Sequence, residues 1–319
     1  MTDSGTTPTR KQHGQPQTGS LCASVAVCRR RPRRPGRVLF TPPLCLILSL
    51  ICCIPSLPAR AALPVRAAML VNLDTGRILY EQNADATVPP ASLTKLMSMF
   101  LTMDAVKAKS VSLNEKVRVS RQAAATGGSS MHLCAGERVP LARLLAGMAV
   151  ASGNDAAMAV AQRVSGGNIC NFVCRMNSKA RALGMRRTVF KNPTGLPAAG
   201  QKTTARDMMA LSRAYLRAHP GAMRFHSMRF FLHKGRAMCN TNALLDGVAG
   251  VNGLKTGWTA ASGYNIVVTA QRGKNRLLAV VLGGNTKDMR DASARRLIEA
   301  GFRHPASPKQ VRHALGQRR

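Results

Sequence analysis

Acidic residues are scarce in this chain: 13 Asp+Glu stand against 47 Lys+Arg in 319 residues, a formal charge of +34. Such an imbalance draws a protein towards polyanions, whether nucleic acid, anionic lipid or an acidic cell-envelope polymer, the plainer reading being solvated surface charge. Aromatic residues are also few, at 4%. A nucleic-acid surface built on stacking needs aromatics interleaved with a clustered basic patch, whereas here the arginines are scattered through helical segments. No uninterrupted apolar run is long enough for a comfortable membrane span. None of the seven histidines stands near the cysteines at zinc-like spacing, so no metal is expected. Internal repeats are absent. The apolar fraction, in contrast, is 45%, ample for the packed core of one large domain or two small ones.

The first 61 residues differ from the rest. A polar start leads into CRRRPRRPGR (28–37) and then VLFTPPLCLILSLICCIPSLPARA (38–61). A basic block, a Pro-interrupted apolar run and small residues at Ala59 and Ala61 read as an export signal cleaved after Ala61. The competing reading is a retained anchor. The leader carries nine basic residues and one acid, so the remainder keeps 38 basic and 12 acidic residues, about +26. The expected location is the periplasm or cell envelope, in soluble form after cleavage. Five cysteines fall in the leader; Cys134, Cys170, Cys174 and Cys239 follow it, an even number that permits disulfides in three possible pairings.

Beyond the leader the pattern is α+β. The segment 67–83 reads as a hairpin around the Asp74-Thr75-Gly76 turn. An apolar helix follows Pro89-Pro90. The stretch 139–167 is a helix, a break at Ser-Gly-Asn and a second helix; 171–185 and 203–220 are further helices, the latter with a Thr N-cap. Segments 229–234, 263–271 and 276–284 are strand-like, and Asp288 to Phe302 forms a last helix before a basic tail.

Three fragments carry chemistry: Ser92-Leu-Thr-Lys95, Ser152-Gly-Asn154 and Lys255-Thr-Gly257. Residues three apart share a helix face, so Lys95 can serve as base for the Ser92 hydroxyl. A lysine does so only as a free amine. Burial and a second cation, here Lys255, both lower its pKa. Ser152 at a helix break can relay a proton, and Asn154 can bind a substrate amide or orient Lys95. Gly257 lets a ligand lie along a strand edge, and a substrate carboxylate can be held by Thr256, Lys255 and a nearby arginine. Taken singly, Ser92 could be only an N-cap, Lys95 a snorkelling surface residue, and the other two fragments plain turns.

Together and in this order, these motifs resemble those of the serine-type D-alanyl-D-alanine carboxypeptidases, the low-molecular-mass penicillin-binding proteins of peptidase family S11. The likeness also covers LVNLDTGRILYEQNAD, VASGNDAAMAVA, NPTGLPAAGQKTTARDM, GVNGLKTGWTAASGYNIVVTA and AGFR, from about Ala67 to Arg303. The resemblance implies a β-lactamase/D,D-peptidase-like fold with its site between an antiparallel sheet and an all-helical region. It implies Ser92 as acylated nucleophile, Lys95 as its base, and Ser152 and Asn154 as the second element. Lys255 and Thr256 would hold the terminal carboxylate with Arg276 on the next strand as helper, Gly257 would belong to the same substrate-binding strand, and the Ser92 and Trp258 amides would form the oxyanion hole. The implied partners are the peptidoglycan stem pentapeptide and β-lactam inhibitors, with anionic envelope polymers as a further possibility; no cofactor and no nucleic acid are implied.

Two departures stand out. Many relatives carry His where this chain has Trp258. Better-known members also continue into a β-rich domain and a membrane-binding helix, whereas little follows Arg303, so residues 62–303 are expected to be the catalytic domain and 304–319 a basic tail. Among rivals, class A β-lactamases need a glutamate between the second and third motifs, and none lies between Asn154 and Lys255. A metal-dependent carboxypeptidase lacks its His-Glu-x-x-His. A D,D-endopeptidase would use the same residues, and a non-catalytic basic envelope-polymer binding protein is the alternative of a different class.

Overall fold

The computed structural model describes residues 62–317, and the expected export signal lies outside them. The hairpin forms as β1 (Ala67–Asn72) and β2 (Ile78–Gln82). Asn72 Oδ1 accepts from the Asp74 and Thr75 amides and so closes the turn. A 3-10 turn, Ala91–Leu93, runs straight into α1 (Thr94–Lys107). Every residue of α1 from Thr94 to Thr102 is buried, which is why its sequence reads as apolar all round rather than as a stripe. Around it fold β3 (Lys116–Arg118), α2 (Arg121–Ala124), β4 (Arg138–Pro140), α3 (Leu141–Val150), α4 (Asn154–Val164), α5 (Ile169–Ala182) and α6 (Ala205–Ala218). Thr204 caps α6 by accepting from the Asp207 amide. Then come α7 (Met223–His226), a ribbon of β5 (Phe230–His233) and β6 (Arg236–Cys239), and α8 (Leu244–Gly247). The chain closes with β7 (Val251–Thr259), β8 (Gly263–Arg272), β9 (Asn275–Gly284), α9 (Lys287–Arg303) and α10 (Pro308–Ala314).

One five-stranded antiparallel sheet in the order β2-β1-β9-β8-β7 organises the molecule. The central strand β9 is covered on both faces, so Leu277 to Leu282 is a continuous apolar run. Its alternate side chains divide between two cores. Leu278, Val280 and Leu282 join the helical region, while Leu277, Ala279 and Val281 pack with Ala294, Leu297 and Ile298 of α9. β7 is the outer strand beside β8, and its edge faces the start of α1. That edge brings the third motif to the first.

Two differences from the sequence reading have physical causes. β7 escapes strand recognition because Gly253 and Gly257 interrupt its apolar pattern. The tail beyond Arg303 is not merely solvated charge: α10 follows the Ser307 N-cap and buries Val311 and Leu315 beside Leu79 and Tyr80. Each such burial contributes about 1.5–3 kcal/mol. Cys134, Cys170, Cys174 and Cys239 are all exposed free thiols.

Candidate active site

Ser92 sits in the 3-10 turn, half-buried, and its hydroxyl caps nothing. One turn on, Lys95 is fully enclosed. Its Nζ lies 2.9 Å from Ser92 Oγ, 2.6 Å from Asn154 Oδ1 and 2.7 Å from the Thr194 carbonyl oxygen. Asn154 Nδ2 donates to the Gly127 carbonyl at 2.7 Å, which fixes the amide orientation and points Oδ1 at the lysine. Thr194 and Asn154 offer only acceptors. A neutral amine has two N–H groups and one lone pair; with both N–H groups spent on those acceptors, the lone pair is left for the Ser92 O–H. Burial, reinforced by the positive charge of Lys255 and opposed by the negative charge of Asp155, holds the Lys95 amine well below its ordinary pKa.

Lys255 is likewise enclosed, and its Nζ donates to the Thr256 carbonyl at 3.0 Å. Burial, and then the nearby Arg290, lower its pKa to about 7. Ser152 stands at the break between α3 and α4 with φ +59, a left-handed conformation unusual for serine, and its hydroxyl has no hydrogen-bond partner among the described residues. Ser92, Ser152, Thr256 and Gly257 line one cavity of about 300 Å³, with Trp258 and Tyr264 at its rim. These two aromatics are cross-strand neighbours with ring centroids 5.8 Å apart, and Trp258 is 56% exposed.

Backbone fit is close on both sides of Ser92. A Cβ on Gly257 would come within 2.9 Å of the Ser92 amide nitrogen, so only glycine lets β7 approach the turn. Gly195 has φ +87, and a Cβ there would meet the Ala91 carbonyl oxygen at 1.8 Å. Its loop is held by Asn192 Oδ1, which accepts from the amides of Thr194 and Gly195 and from the Thr194 hydroxyl.

The structure thus brings together Ser92, Lys95, Ser152, Asn154, Lys255, Thr256, Gly257 and Trp258. Arg276 is a correction. It lies beside the β8–β9 turn opposite Gln271, whereas the cavity end of β9 is Gly284, opposite Tyr264. Eight residues of strand separate the two, roughly 25 Å. Arg276 instead pairs with Asp74 at 2.7 Å. The arginine on the cavity wall is Arg290 of α9, 3% exposed and paired with Asp291, with Lys287 near it. Register was the signal available in the sequence: Arg272-Gly273-Lys274 is the turn, so a residue just past it cannot reach the other end of the strand.

Other contributors escaped the sequence reading. Thr194 provides a carbonyl, which no side-chain motif reveals. Thr241 Oγ1 lies 2.6 Å from Thr256 Oγ1. Asp155, fully buried, accepts from the amides of Met131, Leu133 and Ala156 and from the Ser130 hydroxyl; it shapes the loop carrying Ser129, which also lines the cavity. A carboxylate next to Asn154 was the available hint.

An antiparallel sheet against a helical region, with a serine, a buried amine and a second lysine at their junction, defines the class. The D-alanyl-D-alanine carboxypeptidase family profile, peptidase S11, matches residues 56–286, and the chain belongs to that family. It is 37% identical over 242 residues to the D-alanyl-D-alanine carboxypeptidase DacF of Bacillus subtilis, covering 74% of this chain and 62% of that protein. Among solved structures it resembles penicillin binding protein 6B of Escherichia coli, at 36% identity and a TM-score of 0.73, covering 78% and 80% of the two chains. It also resembles penicillin-binding protein D2 of Listeria monocytogenes in an ampicillin-bound form, at 34% identity and a TM-score of 0.69, covering 75% and 98%. The chain spans about three fifths of the length of the first curated relatives it matches.

Proposed function

We propose that this chain is an exported serine D,D-carboxypeptidase that removes the terminal D-alanine from peptidoglycan stem peptides. Ser92 Oγ attacks the carbonyl carbon between the two D-alanines as its proton passes to the neutral Nζ of Lys95. The amides of Ser92 and Trp258 stabilise the oxyanion, the proton returns through Ser152 to the leaving amine, and the free D-alanine departs. Water then hydrolyses the ester on Ser92. Lys255, Thr256 and Arg290 receive the substrate carboxylate. β-Lactams acylate the same oxygen.

What chiefly supports this reading is the Lys95 amine held between two fixed acceptors and the Ser92 hydroxyl at 2.9 Å. The relatives named above share the family, and one of them holds ampicillin. Export rests on the basic, apolar, small-residue order of the leader; no described helix is long and apolar enough to cross a membrane. Residues 62–303 are the proposed catalytic domain, with α10 packed onto it. Incubation with a pentapeptide ending in D-Ala-D-Ala should release free D-alanine, while a Ser92→Ala variant should release none. Release by that variant at the wild-type rate would refute the assignment. Cross-linked muropeptides cut in preference to the pentapeptide would make it an endopeptidase.

A further inference from the structure

Arg276 belongs to a different feature at the far end of the sheet. A cavity of about 370 Å³ opens there between the β1–β2 turn and α6. Its charged lining is Arg213, Arg217 and Arg276 with one acid, Asp74. Asp74 is already committed: its carboxylate accepts from both Nε and the backbone amide of Arg276. Arg213 and Arg217, one helical turn apart on α6, have no acidic partner among the described residues. The Arg213 guanidinium lies over the turn, its Nη2 only 3.2 Å from where a Cβ of Gly76 would stand. Two guanidinium groups in one concavity, unneutralised, repel each other unless an anion lies between them.

The size and the walls narrow the ligand. A bare inorganic ion would leave most of the cavity empty. A second groove of about 140 Å³ shares Leu73, Leu216 and Arg276 with it and continues over Pro220 and Met223. Arginines beside a shelf of uncharged side chains, apolar at Leu73, Leu216, Pro220 and Met223 and polar at Asn252, Thr269 and Gln271, are the complement of an ester with an anionic end and an uncharged body. Guanidinium forks match the tetrahedral oxygens of phosphate. We propose that this arginine-lined cavity binds an organic phosphate, its phosphate between Arg213 and Arg217 and its organic part towards Leu73 and Leu216. Such a chemistry is shared by free phosphate esters and by phospholipid headgroups. The site lies at the opposite end of the strands from Ser92 and does not depend on the acyl-transfer reading.

Calorimetric titration at physiological salt distinguishes the sources, using inorganic phosphate, glycerol 3-phosphate and a short-chain phosphatidylglycerol kept monomeric. Saturable one-to-one binding of glycerol 3-phosphate, tighter than that of inorganic phosphate, is expected. Lipid tighter than glycerol 3-phosphate identifies a headgroup site; equal affinity identifies a free ester. The Arg213→Gln/Arg217→Gln variant should bind at least about tenfold more weakly. An Arg181→Gln/Arg186→Gln control, which removes the same charge from exposed positions, should bind as wild type. Arg217→Gln alone, at an exposed position, serves if the double variant unfolds at a lower temperature. The proposal is overturned if none of the three probes binds saturably, if inorganic phosphate binds as tightly as both esters, or if the control weakens binding as much as the cavity variants.

Discussion

Lys95 and Lys255 are two amines enclosed at one junction, both held below their ordinary pKa chiefly by burial, with Lys255 adding to the shift of Lys95 and Arg290 to that of Lys255. Under the proposed mechanism they need opposite states, Lys95 neutral to accept a proton and Lys255 charged to hold a carboxylate. The Lys95 amine is held well below its ordinary pKa by burial and by Lys255, and that of Lys255 is lowered to about 7. Activity therefore rises with pH as Lys95 discharges and falls as Lys255 discharges. The alkaline limb of kcat/KM, which reports the free protein, is expected near pH 7 and that of kcat at higher pH, since a bound carboxylate favours the charged lysine. Lys255→Arg, whose guanidinium stays charged, should move the kcat/KM limb upward; an unmoved limb would show that Lys255 is not its source. Arg276→Gln should change acylation less than about twofold, because that side chain lies at the far end of β9; a loss as large as that of a mechanistic residue, about 10²-fold, would return it to the site. The motifs Ser92-x-x-Lys95 and Lys255-Thr-Gly257 were legible because, in this order, they resemble those of the D-alanyl-D-alanine carboxypeptidases, and helix spacing and pKa physics agree with the pairing. Thr194 was not legible, since a backbone carbonyl carries no residue signature.

At the scale of elements, the cavity depends on how closely β7 and the Gly195 loop approach the 3-10 turn. Gly195→Ala places a Cβ against a backbone oxygen at positive φ and should lower stability by about 2–5 kcal/mol, read by urea unfolding. A neutral effect would mean that the loop can retreat without cost. Strand β9 and the helices with single apolar faces were readable from periodicity, whereas β7 was hidden by its glycines. Those glycines are what the close approach to Ser92 requires, so the least strand-like sequence in the sheet lies where the strand meets the turn.

The whole molecule is tied together by β9, which feeds both cores, and by α10, which closes the second core over β2 and α9. Leu315→Ala should cost about 2–5 kcal/mol in thermal or urea unfolding while leaving penicillin labelling at low temperature unchanged. Loss of labelling in a folded variant would couple the far core to the cavity. The tail read as solvated because every charged residue in it is basic, and only Val311 and Leu315 betray a buried face.

The most direct measurement is the rate at which a fluorescent penicillin acylates the protein, with the adduct located by mass spectrometry. Wild type should carry the adduct on Ser92, Ser92→Ala should carry none, and Lys95→Ala should acylate about 10²–10⁴-fold more slowly while unfolding at a similar temperature. Acylation of folded Lys95→Ala at the wild-type rate, or an adduct on any other residue, would contradict a neutral Lys95 taking the Ser92 proton.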